Sequence, residues 1–223
     1  MVDECYIKRE DLENMAKKKF DKLKAIERVA RDVAQSIWGG AQTVPNSRYG
    51  DLWDQDRYAF AEVKGAGDSQ GAIIRKSQLD FHRENLSGYE CEYVFVYYKN
   101  KGLHEGKRRS LTFLVGTTEA RLQNFLVKRI YEIYIVDVSV VSAVYEACRE
   151  KDERSWRMKE GPRTGLKLRA CRFLPYAQDV QRLVEIHLNP AEYFVSRQSE
   201  LARLGDYEIP VTVFRIIKKG VDV

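Results

Sequence analysis

The runs Tyr49-Gly50-Asp51-Leu52-Trp53 and Tyr58-Ala59-Phe60-Ala61-Glu62-Val63-Lys64 bring carboxylates and an ammonium to the ends of two otherwise apolar stretches. Extended backbone alternates its side chains, so Tyr58, Phe60, Glu62 and Lys64 share one face, and Ala59, Ala61 and Val63 the other. Charge on such a strand is costly unless it is paired or bound to metal. The polar stretch Asp54-Gln55-Asp56-Arg57 has hairpin length and joins predicted strands over Tyr49–Trp53 and Tyr58–Lys64. Pairing Trp53 with Tyr58 sets Asp51 opposite Phe60, a diagonal neighbour of Glu62 on its own face, about 7–8 Å away. Carboxylates at that spacing reach one cation between them, and oxygen ligands with room left for water and phosphate suit Mg²⁺, for which Mn²⁺ can substitute. Such a site fits phosphodiester hydrolysis, the metal polarising the phosphate and lowering the pKa of a bound water. Lys64 would orient or deprotonate that water, or stabilise charge in the transition state; residue type does not choose among these.

Other acids compete for the role. Asp54 and Asp56 flank the turn, where Asp bonds its local backbone, and are expected to be turn residues. Asp68 sits in a glycine-bearing loop. Histidines 82, 104 and 187 lie far apart, and the cysteines form no CxxC pair, so a structural zinc site is not expected. Cys91 and Cys171 sit in apolar stretches and are expected to be small core residues. No GxxxxGK[ST] phosphate loop, G-x-S-x-G elbow or HExxH motif occurs.

The elements that must position these residues follow from periodicity. Apolar residues from Leu12 to Ile37 fall on one helical stripe, predicting a long helix over Glu10–Trp38 that Gly39-Gly40 ends. A short extended piece, Gln42–Val44, precedes the hairpin, and Gly65–Gly71 reads as a loop after it. Ser77 can cap a helix over Gln78–Leu86, and the Val/Phe/Tyr-rich Glu92–Tyr98 reads as a buried strand. Beyond it, strands are expected at Leu111–Val115, Tyr131–Val138, Lys167–Phe173 and Val211–Ile217. Helices are expected at Glu119–Val127, Val140–Arg149 and from Asn189-Pro190 to Leu204, with Gly205 as the stop signal. The polar stretch Glu150–Thr164 is the best linker candidate. The class is α/β: a core over 1–138 and an α+β extension over 139–223, which could share its domain.

A net charge of +5 suits nucleic acid as well as it suits an unremarkable basic surface. Arg75, Lys76, Lys99 and Lys101 flank the carboxylates along the chain and would neutralise phosphates if they line one groove; ordinary surface charge is the alternative. With no signal peptide and no apolar run long enough to span a bilayer, a cytoplasmic protein is expected.

Asp51, followed by Glu62-Val63-Lys64 at the end of the next strand, resembles the PD-(D/E)XK nuclease superfamily. There, a helix precedes a hairpin carrying Asp…Glu-x-Lys, and a helix and strand follow, as predicted here for about residues 10 to 100. The resemblance matches the family's Asp to Asp51, its Glu to Glu62 and its Lys to Lys64. It implies a restriction-endonuclease-like fold, a central mixed sheet flanked by helices. It also implies that Val63 lends its carbonyl to the metal. Gly50 stands where the family's proline would be. Many members add a first-helix glutamate to the metal site. Glu27, about 60° from the centre of the apolar stripe, is the candidate, with a salt bridge to Arg31 as the alternative. Gln78 resembles the glutamine of the resolvase-like and restriction-enzyme-like branches; a solvent-facing first-turn residue is its plain reading. The expected activity is a Mg²⁺-dependent nuclease acting on DNA, more as an endonuclease than an exonuclease. The C-terminal third would supply substrate contacts or a homodimer surface. The alternative is a nucleic-acid-binding or assembly protein that keeps the fold without catalysis.

Overall fold

The computed structural model describes residues 22–39, 42–44, 49–67, 72–86, 88–99, 119–151, 165–168 and 191–218. In chain order these form α1 (Lys22–Trp38), β1 (Gln42–Thr43), β2 (Leu52–Asp54), β3 (Ala59–Gly67), β4 (Ala72–Arg75), α2 (Lys76–Asn85) and β5 (Glu90–Tyr98). There follow α3 (Glu119–Val127), β6 (Ile130–Asp137), α4 (Val138–Lys151), β7 (Gly165–Leu168), β8 (Tyr193–Leu204) and β9 (Tyr207–Lys218). The architecture is α/β: one seven-stranded sheet in the order β1-β2-β3-β5-β6-β9-β8, with a β4-β7 ribbon beside it. The sheet is mixed, β3–β5 and β6–β9 being parallel and the other pairs antiparallel.

Each face of the sheet has its own core, as strand alternation requires. On one side, α1 lays Val29, Ala30, Val33 and Ala34 onto Ala61, Val63, Val94 and Val96. On the other, Ile74 of β4, Leu79 of α2 and Val141 and Tyr145 of α4 cover Tyr93, Phe95 and Tyr134. The stripe read in the sequence is therefore the buried side of α1 from Val29 onward; the predicted helix before Lys22 lies outside the described residues. Among those residues, no helix is long and apolar enough to cross a membrane.

The observed α3, β6 and α4 lie close to their expected places. Three expectations need correction. Gly65–Gly67 is strand rather than loop, because β5 pairs with it out to Gly67↔Tyr98 and holds the backbone extended despite the glycines. Ser77 does not cap α2, which starts at Lys76 with Arg75 at the N-cap position and no side-chain cap bond. The predicted helix ending at Leu204 is instead strand β8, paired with β9 from Tyr193↔Lys218 to Leu204↔Tyr207. Its last turn shows the period of a strand: Ala202 and Leu204 are buried, Leu201 and Arg203 exposed. Gly205, at φ +57, is the first residue of a two-residue hairpin turn. A helix stop and such a turn both ask for a left-handed glycine, so that one residue could not separate them. β9 lies between β6 and β8, which places residues 193–218 in the same sheet as β2, β3 and β5. The expected strand Leu111–Val115 lies outside the described residues, as do Asn189-Pro190, residues 152–164 of the linker candidate and residues 169–173.

Candidate active site

β2 and β3 pair in a register two residues away from the one alternation suggested. Trp53 faces Phe60 rather than Tyr58, and Leu52 faces Ala61. At the start of β2 the ladder is irregular: the Ala61 carbonyl accepts from the Asp51 amide at 2.8 Å although Leu52 is the residue registered opposite it. Two consecutive residues facing one partner are the mark of a β-bulge, which re-aims a side chain and parts the strands. Gly50 makes this possible. Its φ is +139, and a Cβ there would lie 2.7 Å from the Ala61 carbonyl oxygen. Proline, held near φ −65°, cannot adopt that backbone, so its absence before Asp51 has a local cause.

The bulge corrects how Asp51 reaches the site. Its carboxylate does not stand as a diagonal neighbour on a shared face; it lies in the gap where β2 leaves β3. There Oδ2 accepts the Val63 amide at 3.0 Å, and Oδ1 accepts Arg31 Nη2 of α1 at 2.9 Å. Asp51 thus takes the place of the missing strand partner of Val63. A strand residue's own N–H and C=O point to the same side, so the Val63 carbonyl is directed towards Asp51 as well.

Glu62 is buried and pairs with Lys64, two positions on along the same face. Gln78, in the first turn of α2, joins the pair through Lys64: its Oε1 accepts from Lys64 Nζ at 3.5 Å. Burial pushes the Glu62 carboxyl above its usual range; Lys64 opposes that shift, and the nearby Asp51 charge adds to it. Beneath the site, Tyr93 is registered beside Glu62 on β5 and hydrogen-bonds the buried His82 at 3.0 Å.

The chain matches no protein-family model, no curated protein and no solved structure.

Asp51, Glu62, Val63, Lys64 and Gln78 are therefore brought together. Glu27 is exposed on α1, and the α1 residue bonded to Asp51 is Arg31, one turn further on. That ion pair was missed, because the sequence offered Arg31 only as a partner for Glu27. Among the described residues no group of three or more His, Cys, Asp or Glu could together hold a metal ion. The donors at hand are thus the Asp51 and Glu62 carboxylates and the Val63 carbonyl. That set fits a hard cation completed by water and phosphate oxygens, and the charge repulsion between the acids is what such a cation relieves.

Arg75 ends β4 with an exposed side chain, and Lys76 pairs with Asp80 one turn on in α2. Lys99 sits past the end of β5, its Nζ 5.5 Å from the centre of the Tyr131 ring. Phe95 is the residue registered beside Lys64, so Lys99 lies about 13 Å further along the strand. Lys101 lies outside the described residues, as do Asp68 and Cys171. Asp54 is the turn residue expected, its Oδ1 accepting the Asp56 and Arg57 amides at 3.0 and 3.2 Å. Cys91 is buried in β5, its thiol pushed well up by burial.

Proposed function

We propose that the chain is a metal-dependent nuclease of the PD-(D/E)XK type, hydrolysing phosphodiester bonds in DNA, as an endonuclease rather than an exonuclease. One observation carries this: Asp51 is bound to the Val63 amide, next along the chain from Glu62, while Glu62 pairs with Lys64, which also meets Gln78. The order of a helix, a hairpin bearing the acids, a helix and a parallel strand supports a restriction-endonuclease-like core.

Asp51, Glu62 and the Val63 carbonyl would hold Mg²⁺ or Mn²⁺. When bound, that ion supplies a water of lowered pKa and an electrophile for the phosphate. The protein's own groups do the rest. The Val63 amide and Arg31 fix both oxygens of Asp51, so the carboxylate needs little reorganisation. Lys64 donates to both Glu62 and the Gln78 side-chain oxygen, so Gln78 helps hold the Lys64 ammonium at the carboxylate. Lys64, donor to both, has a further N–H to offer a phosphate oxygen as charge builds on it.

Incubation of single-stranded, duplex and branched DNA with Mg²⁺ tests this directly. Glu62→Gln and Lys64→Ala should each lower cleavage by at least about 100-fold, the size typical of losing an electrostatic or acid–base group. Folded variants that cut as well as the parent would remove the assignment. A second reading draws on the ion pairs themselves. Arg31 and Lys64 already neutralise Asp51 and Glu62, as a non-catalytic nucleic-acid-binding or assembly protein would allow. Calorimetry that detects no Mn²⁺ binding, with DNA affinity indifferent to EDTA, would favour it.

A further inference from the structure

We propose that the aromatic surface beside the carboxylates stacks the unpaired bases of a DNA strand, making single-stranded DNA the preferred substrate form; this rests on the nuclease function proposed above. Trp53 and Phe60, registered opposite each other on β2 and β3, hold their rings 4.2 Å apart. Tyr89, in the turn before β5, stands edge-on to Phe60 at 5.4 Å. Tyr58 packs edge-on to Trp53 at 6.4 Å. On the flank nearer α2, Tyr49 stacks on Phe60 at 5.7 Å and meets Phe81 at 5.5 Å. Tyr58 is 63% exposed and Tyr89 38%, so the group is a surface and not a core.

Three features single out bases as what it takes. The first is continuity with the site. Phe60 precedes Glu62 by two positions on one face of β3, about 7 Å, and Phe81 follows Gln78 by one turn of α2. A phosphate held at the carboxylates would therefore have its neighbouring base over these rings. The second is Tyr58 itself, the one non-glycine residue with positive φ among those described, at +50. Glycine or asparagine suits that turn position without cost, yet here the backbone strain keeps an aromatic ring in solvent. The third is chemistry: flat, partly exposed rings on a chain of net charge +5 combine a stacking platform with attraction for a polyanion. Bases locked inside a duplex offer no face to such a platform, so the preference is for unpaired strand.

Tyr58→Gly and Tyr89→Ser test the proposal with little risk to folding, since the first relieves strain and the second changes an exposed turn residue. Binding is read by fluorescence anisotropy in EDTA, with an oligodeoxythymidylate and with a blunt hairpin duplex carrying the same number of phosphates. The parent should bind the single strand more tightly. Each variant should weaken that binding by roughly tenfold while leaving duplex binding and the salt slope in place. Tyr58→Phe should restore it. Variants that match the parent on the single strand, or lose both ligands equally, overturn the platform. So does a parent dimer that the variants dissociate in sedimentation without a change in oligonucleotide affinity, because the surface then covers a second copy. Strand binding that depends on Tyr58 in a parent that cuts nothing keeps the platform and removes the nuclease function. Cleavage indifferent to both substitutions does the reverse.

Discussion

At the scale of single residues, Gly50 governs the site without touching the chemistry. Any side chain there meets the Ala61 carbonyl, and φ +139 is strained for every residue but glycine. Gly50→Ala should therefore cost roughly 2–4 kcal/mol, from overpacking and backbone strain together, measured by urea denaturation. It should also loosen the bulge that aims Asp51, so the proposed DNA cleavage should fall further than stability accounts for at temperatures where the variant is still folded. Glu62 and Lys64 were legible as a same-face pair from residue type and strand alternation, whereas Asp51 was named by type but reaches them by another route. The role of Gly50 was not, because it depends on a close approach of two strands that spacing along one strand does not report.

At the scale of elements, the end of α1, the β2–β3 turn and the start of β5 are tied by one polar group. Arg57 in the turn bonds Glu90 at 3.1 Å and Glu92 at 3.2 Å and lies over the Trp38 ring, while Trp38 Nε1 donates to Glu92. Burial pushes the Glu92 carboxyl above its usual range, with Trp38 and Arg57 opposing the shift. The folded state thus holds this proton to higher pH than the unfolded chain does. The contribution to stability is fully present below the unfolded value, about 4.3, and is lost as pH rises through the raised folded one. Denaturation midpoints of the parent and Glu92→Gln, compared pH by pH, should therefore shift in the variant's favour as pH rises across that window. A constant difference at every pH would contradict the assignment. Element type was legible where one face is buried and the period is clear, as in α1, β5 and β6. It failed at β8, whose buried residues Ala202 and Leu204 join the core under α1 and whose polar residues are compatible with either period.

At the scale of the whole molecule, the late strands are part of the scaffold that carries the acids. β9 inserts between β6 and β8 and buries Val211, Val213, Phe214 and Ile216. Each such side chain contributes about 1.5–3 kcal/mol, so together they rival the 5–15 kcal/mol by which a domain is typically stable. A chain ending after α4 should accordingly lose its cooperative thermal transition and bind a hydrophobic dye, though every proposed site residue is retained. A truncated chain that melts cooperatively and keeps its near-UV signal would show residues 193–218 to be dispensable.

The shared face of Glu62 and Lys64 was determined locally: with Val63 they lie within one strand, where an alternation of two dictates which side chains point the same way. Gln78 was offered only by the family resemblance, a solvent-facing first-turn residue being its plain reading, and it lies against Lys64. What only the tertiary structure decided are contacts between segments distant along the chain: the Asp51 bulge against Ala61, Arg31 rather than Glu27 at the carboxylate, and β9 between β6 and β8. Local periodicity carries the orientation of a side chain relative to its own backbone. Register, bulges and strand order come from the packing of whole elements, where a shift of one residue exchanges the buried and exposed faces and so changes the energy of the entire strand.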